Sequence, residues 1–112
     1  MSSAWAGNLA GTFGGGSVLY FAVSVAFPGQ ERSRHMGELK RGNDRWDVFL
    51  ETEPDTAAGT VRGRLHFVAT QRRFTTGWVF LEWRVEDVHE RFGEFSAVEL
   101  WHFLEALEAE AG

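Results

Sequence analysis

Three runs in the chain alternate apolar and polar residues with the two-residue period of a pleated strand, and this constrains the fold more than any other feature. In "RWDVFLETEP", Trp46, Val48 and Leu50 take one parity and Asp47, Phe49 and Glu51 the other. In "VRGRLHFVAT", Val61, Leu65, Phe67 and Ala69 oppose Arg62, Arg64, His66 and Val68. In "FTTGWVFLEWRVED", Val79, Leu81, Trp83 and Val85 oppose Trp78, Phe80, Glu82 and Arg84. The turn-rich "EPDTAAGT" and the short "QRR" join these runs, which predicts an antiparallel meander.

The period changes at the C-terminus. In "FSAVELWHFLEALEAEAG", Ser96 and Glu99 have capping-box spacing, and Phe95 and Leu100 stand at the staple positions. Ala97, Leu100, Trp101, Leu104 and Leu107 then recur at helical spacing. Strands followed by one amphipathic helix predict an α+β fold: an antiparallel sheet of four to five strands with the C-terminal helix packed on one face.

Upstream, "SVLYFAVSVAFPG" predicts a further strand over Val18–Phe27, closed by a type II turn at Pro28-Gly29. Residues 1–17 are expected to form a glycine-rich flexible leader, and residues 18–112 a single domain. The leader's glycines precede a strand and no lysine follows them, unlike a phosphate loop. Residues 4–27 carry no charge and "GNLAG" has GxxxG spacing, yet three consecutive glycines and the lack of a basic N-terminal region argue against a membrane partner. Between Gln30 and Arg45 the polar "QERSRHMGELKRGNDR" reads as a solvated excursion with at most a short edge strand near Met36, or as a functional loop. Its Arg32, Arg34 and His35 are candidate binding residues, with Lys40 and Arg41 beside them in a cationic cluster.

Charge follows the same segmentation. Residues 31–45 sum to +2, 46–59 to −4, 60–76 to +4 and 77–112 to −7, giving the net −5 of the 112-residue chain. Alternating blocks suit neighbouring strands that pair opposite charges, and the acidic total argues against a nucleic-acid partner.

Reactive constellations are missing from the sequence. There is no cysteine, which removes thiolate chemistry and disulfides together and fits a reducing, cytoplasmic setting. Ten arginines against one lysine, with no isoleucine, read as the coding bias of a GC-rich bacterial genome. His35, His66, His89 and His102 form none of the spacings that write a local metal chelate, and Ser17, Ser24, Ser33 and Ser96 lack nucleophile-elbow context. No catalytic residue, metal or cofactor is therefore assigned.

A surplus remains. One helix covers one sheet face, matched by Trp46, Val48, Leu50, Val61, Leu65, Phe67, Leu81, Trp83 and Val85, yet the opposite parity still carries Phe49, Val68, Trp78 and Phe80 among Arg62, Arg64 and His66. These aromatics need a cover, either the leader's Trp5, Leu9 and Phe13 or a partner. The expected function is a small non-catalytic protein-binding module, of inhibitor, immunity or assembly-subunit type. Its binding residues would be Arg62, Arg64, His66, Trp78 and Phe80 on the sheet, with Arg32, Arg34 and His35 from the loop. One alternative is a small-molecule-binding or enzymatic curved sheet with a pocket lined by Trp46, Phe67, Trp83 and Trp101; another is a homo-oligomer.

Overall fold

The computed structural model of the chain describes residues 27–111. The glycine-rich leader, with Trp5, Leu9 and Phe13, lies outside them, as does the strand expected over Val18–Phe27 except for its last residue. The chain enters view at the anticipated turn. Gln30 N–H donates to the Phe27 carbonyl at 3.1 Å, and Gly29 holds φ 85°, as the third position of a type II turn requires. One 3₁₀ turn, Gln30–Arg32, leads into the sheet.

The fold is α+β. Strands β1 (Ser33–Arg41), β2 (Asp44–Asp55) and β3 (Thr60–Val68) form the meander, and β4 (Arg73–Thr75) and β5 (Phe80–Glu82) share the remaining flank of β3. Helices α1 (Val85–Phe92) and α2 (Ala97–Ala111) follow. From β1 to β4 the strand order is sequence order, β5 returns to pair with β3, and every pairing is antiparallel.

Both helices cover the same face. The core there joins Leu39 and Met36 of β1, Trp46, Val48 and Leu50 of β2, and Leu65 and Phe67 of β3 with Val88 and Phe92 of α1 and Leu100, Trp101 and Leu104 of α2. The C-terminal helix starts as its sequence dictates: Ser96 N–H donates to Glu99 Oε1 at 2.8 Å while Glu99 N–H donates to Ser96 Oγ at 3.2 Å. Its Leu100 enters the core, and Phe95 packs against that cluster.

Three expectations need correction. The polar stretch after Gln30 is not an excursion but β1, a nine-residue strand paired with β2 from Ser33↔Glu51 to Arg41↔Asp44. Two of its polar residues are buried with partners across the ladder: His35 with Asp47, and Glu38 with Arg45. A bulge between His35 and Gly37 adds Met36 to the core. As a result the cationic cluster disperses: Arg41 bonds Glu105 at 2.9 Å and lies over Trp101, while Lys40 stands 3.6 Å from Glu38.

The second correction is a helix. "VEDVHERF" continues no strand; it forms α1, burying Val88 and Phe92 four residues apart, with Glu86 and Asp87 in its first turn and Arg91 in its last.

The third concerns which face the last strand presents. Thr75 pairs with His66 and Phe80 with Gly63, so four residues of the edge (76–79) stand against two of β3. This two-residue insertion rotates Trp78 away from the helix layer and returns Phe80 into the core, where it is 3 % exposed. Phe80 fits there because Gly63 lies opposite: a Cβ on Gly63 would stand 2.8 Å from a Val88 methyl and 3.3 Å from Phe80 Cβ. Trp78 and Phe80, expected side by side, therefore serve opposite faces. Leu81, Trp83 and Val85, expected as core, are exposed, as is Val79. The pocket imagined around Trp46, Phe67, Trp83 and Trp101 loses its wall, since the other three are packed core residues and Trp83 faces solvent.

Candidate functional site

The sheet face turned away from the helices carries most of the polar chemistry. On β2, Asp47, Phe49 and Glu51 point this way; on β3, Arg62, Arg64, His66 and Val68 do. The ladder puts Glu51 directly against Arg64 and Glu53 against Arg62. The acidic block of one strand thus meets the basic block of the next, and each pair becomes an ion pair: Arg64 Nε donates to Glu51 Oε1 at 2.9 Å and Arg62 Nη2 to Glu53 Oε1 at 2.7 Å.

Glu51 is the hub of this face. Its carboxylate has no exposed surface and accepts three charged or polar donors: Arg64, Arg32 Nη2 at 2.7 Å and His66 Nε2 at 2.7 Å. The Phe27–Gln30 turn lies directly over it, and a Cβ on Gly29 would come within 2.5 Å of the carboxyl atoms, so only glycine fits. Burial raises the Glu51 pKa, but hydrogen bonds from Arg64, His66 and Arg32 outweigh it and hold the group below the ordinary carboxylate value.

His66 is oriented at both nitrogens. A carboxylate only accepts, so Nε2 carries the proton donated to Glu51; Nδ1 then accepts from the Thr75 hydroxyl at 2.9 Å. Burial, helped by the nearby Arg64 and Arg73 charges, lowers the His66 pKa against the pull of Glu51. The order hydroxyl, imidazole, carboxylate is that of a nucleophile relay. Here, however, the carboxylate is already neutralised by two guanidiniums, and an imidazolium would form 2 % exposed beside further positive charge. The relay suits a rigid scaffold better than proton abstraction.

Aromatic rings complete the patch. Phe27 packs edge-on to Phe49 at 5.1 Å and tilted on His66 at 4.6 Å, and the His35 ring meets Phe49 at 5.1 Å. At the β5 end, Arg62 and Arg64 lie 4.3 and 4.2 Å from the centre of the Trp78 ring. Leu81 stands opposite Arg62 on this face and is 66 % exposed; Trp83, one step along the same parity, is 73 % exposed.

The candidate residues thus divide. Arg62, Arg64, His66 and Trp78 come together, Arg32 joins them through Glu51, and His35 shares their face in a buried bond to Asp47. Phe80 belongs to the opposite core. Arg34 pairs in register with Leu50, which faces the helices, and lies close enough to His89 to lower its pKa after burial has done so. Residue periodicity alone missed Glu51, Asp47 and Thr75, the acceptors and hydroxyl that organise the basic groups. The opposed charge blocks were the signal for Glu51; nothing local announces Thr75.

Among the described residues no three His, Asp or Glu side chains converge to hold a metal ion, and no helix is long and apolar enough to cross a membrane. No family model, curated protein or solved structure matches the chain.

Proposed function

We propose that the chain is a small non-catalytic protein-binding module, working as an inhibitor, immunity-type or assembly subunit does, by occupying a partner's surface. The contact surface is the β5 end of the face opposite the helices: Trp78 clasped by Arg62 and Arg64, with Leu81 and Trp83 beside it. The observation that carries this reading is concentration. Of the five large apolar side chains exposed among the described residues, Val79, Leu81, Trp83 and Val85 fall within seven consecutive positions, and only Val98 lies elsewhere. A run of exposed apolar groups beside Trp and Arg has the composition of interface hot spots.

The division of labour follows from burial. Arg64 is held by the fully buried Glu51 and stiffens the patch, whereas Arg62, held by the part-exposed Glu53, is the more exposed of the two. Arg62 and Trp78 orient a partner, and Leu81 and Trp83 supply the apolar contact. A photo-crosslinking amino acid placed at position 81 or 83 in the source cell tests this, with position 98, 62 % exposed on α2, as the reference. Discrete protein adducts are expected from 81 and 83 and not from 98. Equal labelling from all three sites, or none from any, overturns the reading.

A further inference from the structure

We propose that the partner at this surface is a second copy of this chain, docked antiparallel along β5 so that two five-stranded sheets continue into one. The inference rests on the protein-binding reading above and supplies its occupant. Among the described residues β5 pairs only with β3, along one of its two backbone edges, and the proposed seam uses the other.

The side chains on that edge are self-complementary about Leu81. A two-fold axis there sets Leu81 against its own copy and Val79 against the second copy's Trp83. Each of these apolar groups thereby meets an apolar group. Glu82 falls opposite the second copy's Phe80, so no like charges are placed directly across the seam. The exposure of Val79, Leu81 and Trp83, at 46, 66 and 73 %, is what such a seam removes from water. Because each copy carries −5, the bodies repel at long range while the seam itself is apolar, and added salt tightens the dimer.

The chain contains no cysteine, which gives a clean test of register. In Leu81→Cys the two thiols would lie opposite one another across the axis, within the Cβ separation of directly paired strand residues. Mild oxidation of the full chain is expected to give disulfide-linked dimer at least tenfold faster than in Val98→Cys, an equally accessible control. Sedimentation of the unmodified chain should show a dimer at tens of micromolar, tighter in 0.5 M than in 0.05 M sodium chloride, and Leu81→Asp should weaken it about 100-fold without lowering the melting temperature of the dilute monomer. A chain that stays monomeric at 100 µM, or Leu81→Cys crosslinking no faster than Val98→Cys, overturns the proposal. If position 81 still forms discrete adducts with another protein in the cell, only the second-copy inference falls; if it forms none, the binding reading falls with it.

Discussion

A carboxylate with no exposed surface must have its charge answered in place, and Glu51 is answered three times, by Arg32, Arg64 and His66. The arrangement also ties distant parts of the chain together: Arg32 belongs to the 3₁₀ turn, Arg64 and His66 to β3. Glu51→Gln keeps the shape but removes the charge, leaving two guanidiniums on a neutral amide. Loss of about 2–4 kcal/mol is expected, below the usual cost of breaking a fully buried pair because both arginines keep contact with water. Urea denaturation measures it; a midpoint unchanged from the parent would show that the hub contributes nothing. Residue-level legibility followed partnership. Arg62, Arg64 and His66 were recognisable because strand periodicity placed them on one face; Trp78 joins them only through the insertion that breaks its alternation with Phe80. Glu51 looked like one more surface acid, since its burial depends on a turn folding over it.

At the scale of elements, the seat of α1 is a missing side chain. Val88 and Phe80 both occupy the space over Gly63, and α1 packs no closer than that space allows. Gly63→Ala should displace the helix or strain the strand, costing about 1–3 kcal/mol. Trimming the obstructing methyls in Gly63→Ala/Val88→Ala should recover part of that loss, so the pair would be strongly non-additive in urea unfolding. Additive losses would mean that the two residues do not share the space. The meander and α2 could be read from sequence because period and capping agree with the tertiary structure. β1 could not, since its polar residues are satisfied only by β2, and α1 was hidden because Val85 also extends the alternation of the preceding run. The face of β5 is set by Phe80, which keeps the core-facing parity of Phe74, while the two-residue insertion at 76–79 that turns Trp78 out has no signature beyond Gly77.

For the whole molecule, acid is the direction of weakness. His66 and His89 titrate in the folded chain below their ordinary value of 6.5, chiefly through burial, so the unfolded chain binds more protons there and stability rises with pH through that window. Glu51 adds the same sign lower down: its folded pKa lies below 4.5, so its contribution is intact above that value and lost as pH falls through the folded one. The melting temperature is expected to be level from pH 8 to about 7, to decline below about 6.5 and to fall more steeply below 4.5. His66→Gln should flatten the upper part of that decline. A parent curve that stays level down to pH 5 would contradict this account. The opposed charge blocks predicted cross-strand pairing but not acid sensitivity, which arises only where pairing coincides with burial. The insertion between β4 and β5 has an evolutionary consequence as well. By separating the residue that fills the core from the residues that face outward, it lets Trp78, Leu81 and Trp83 change without disturbing Phe80. On the binding role proposed above, descendants of this chain would alter what they recognise while inheriting the same folded body.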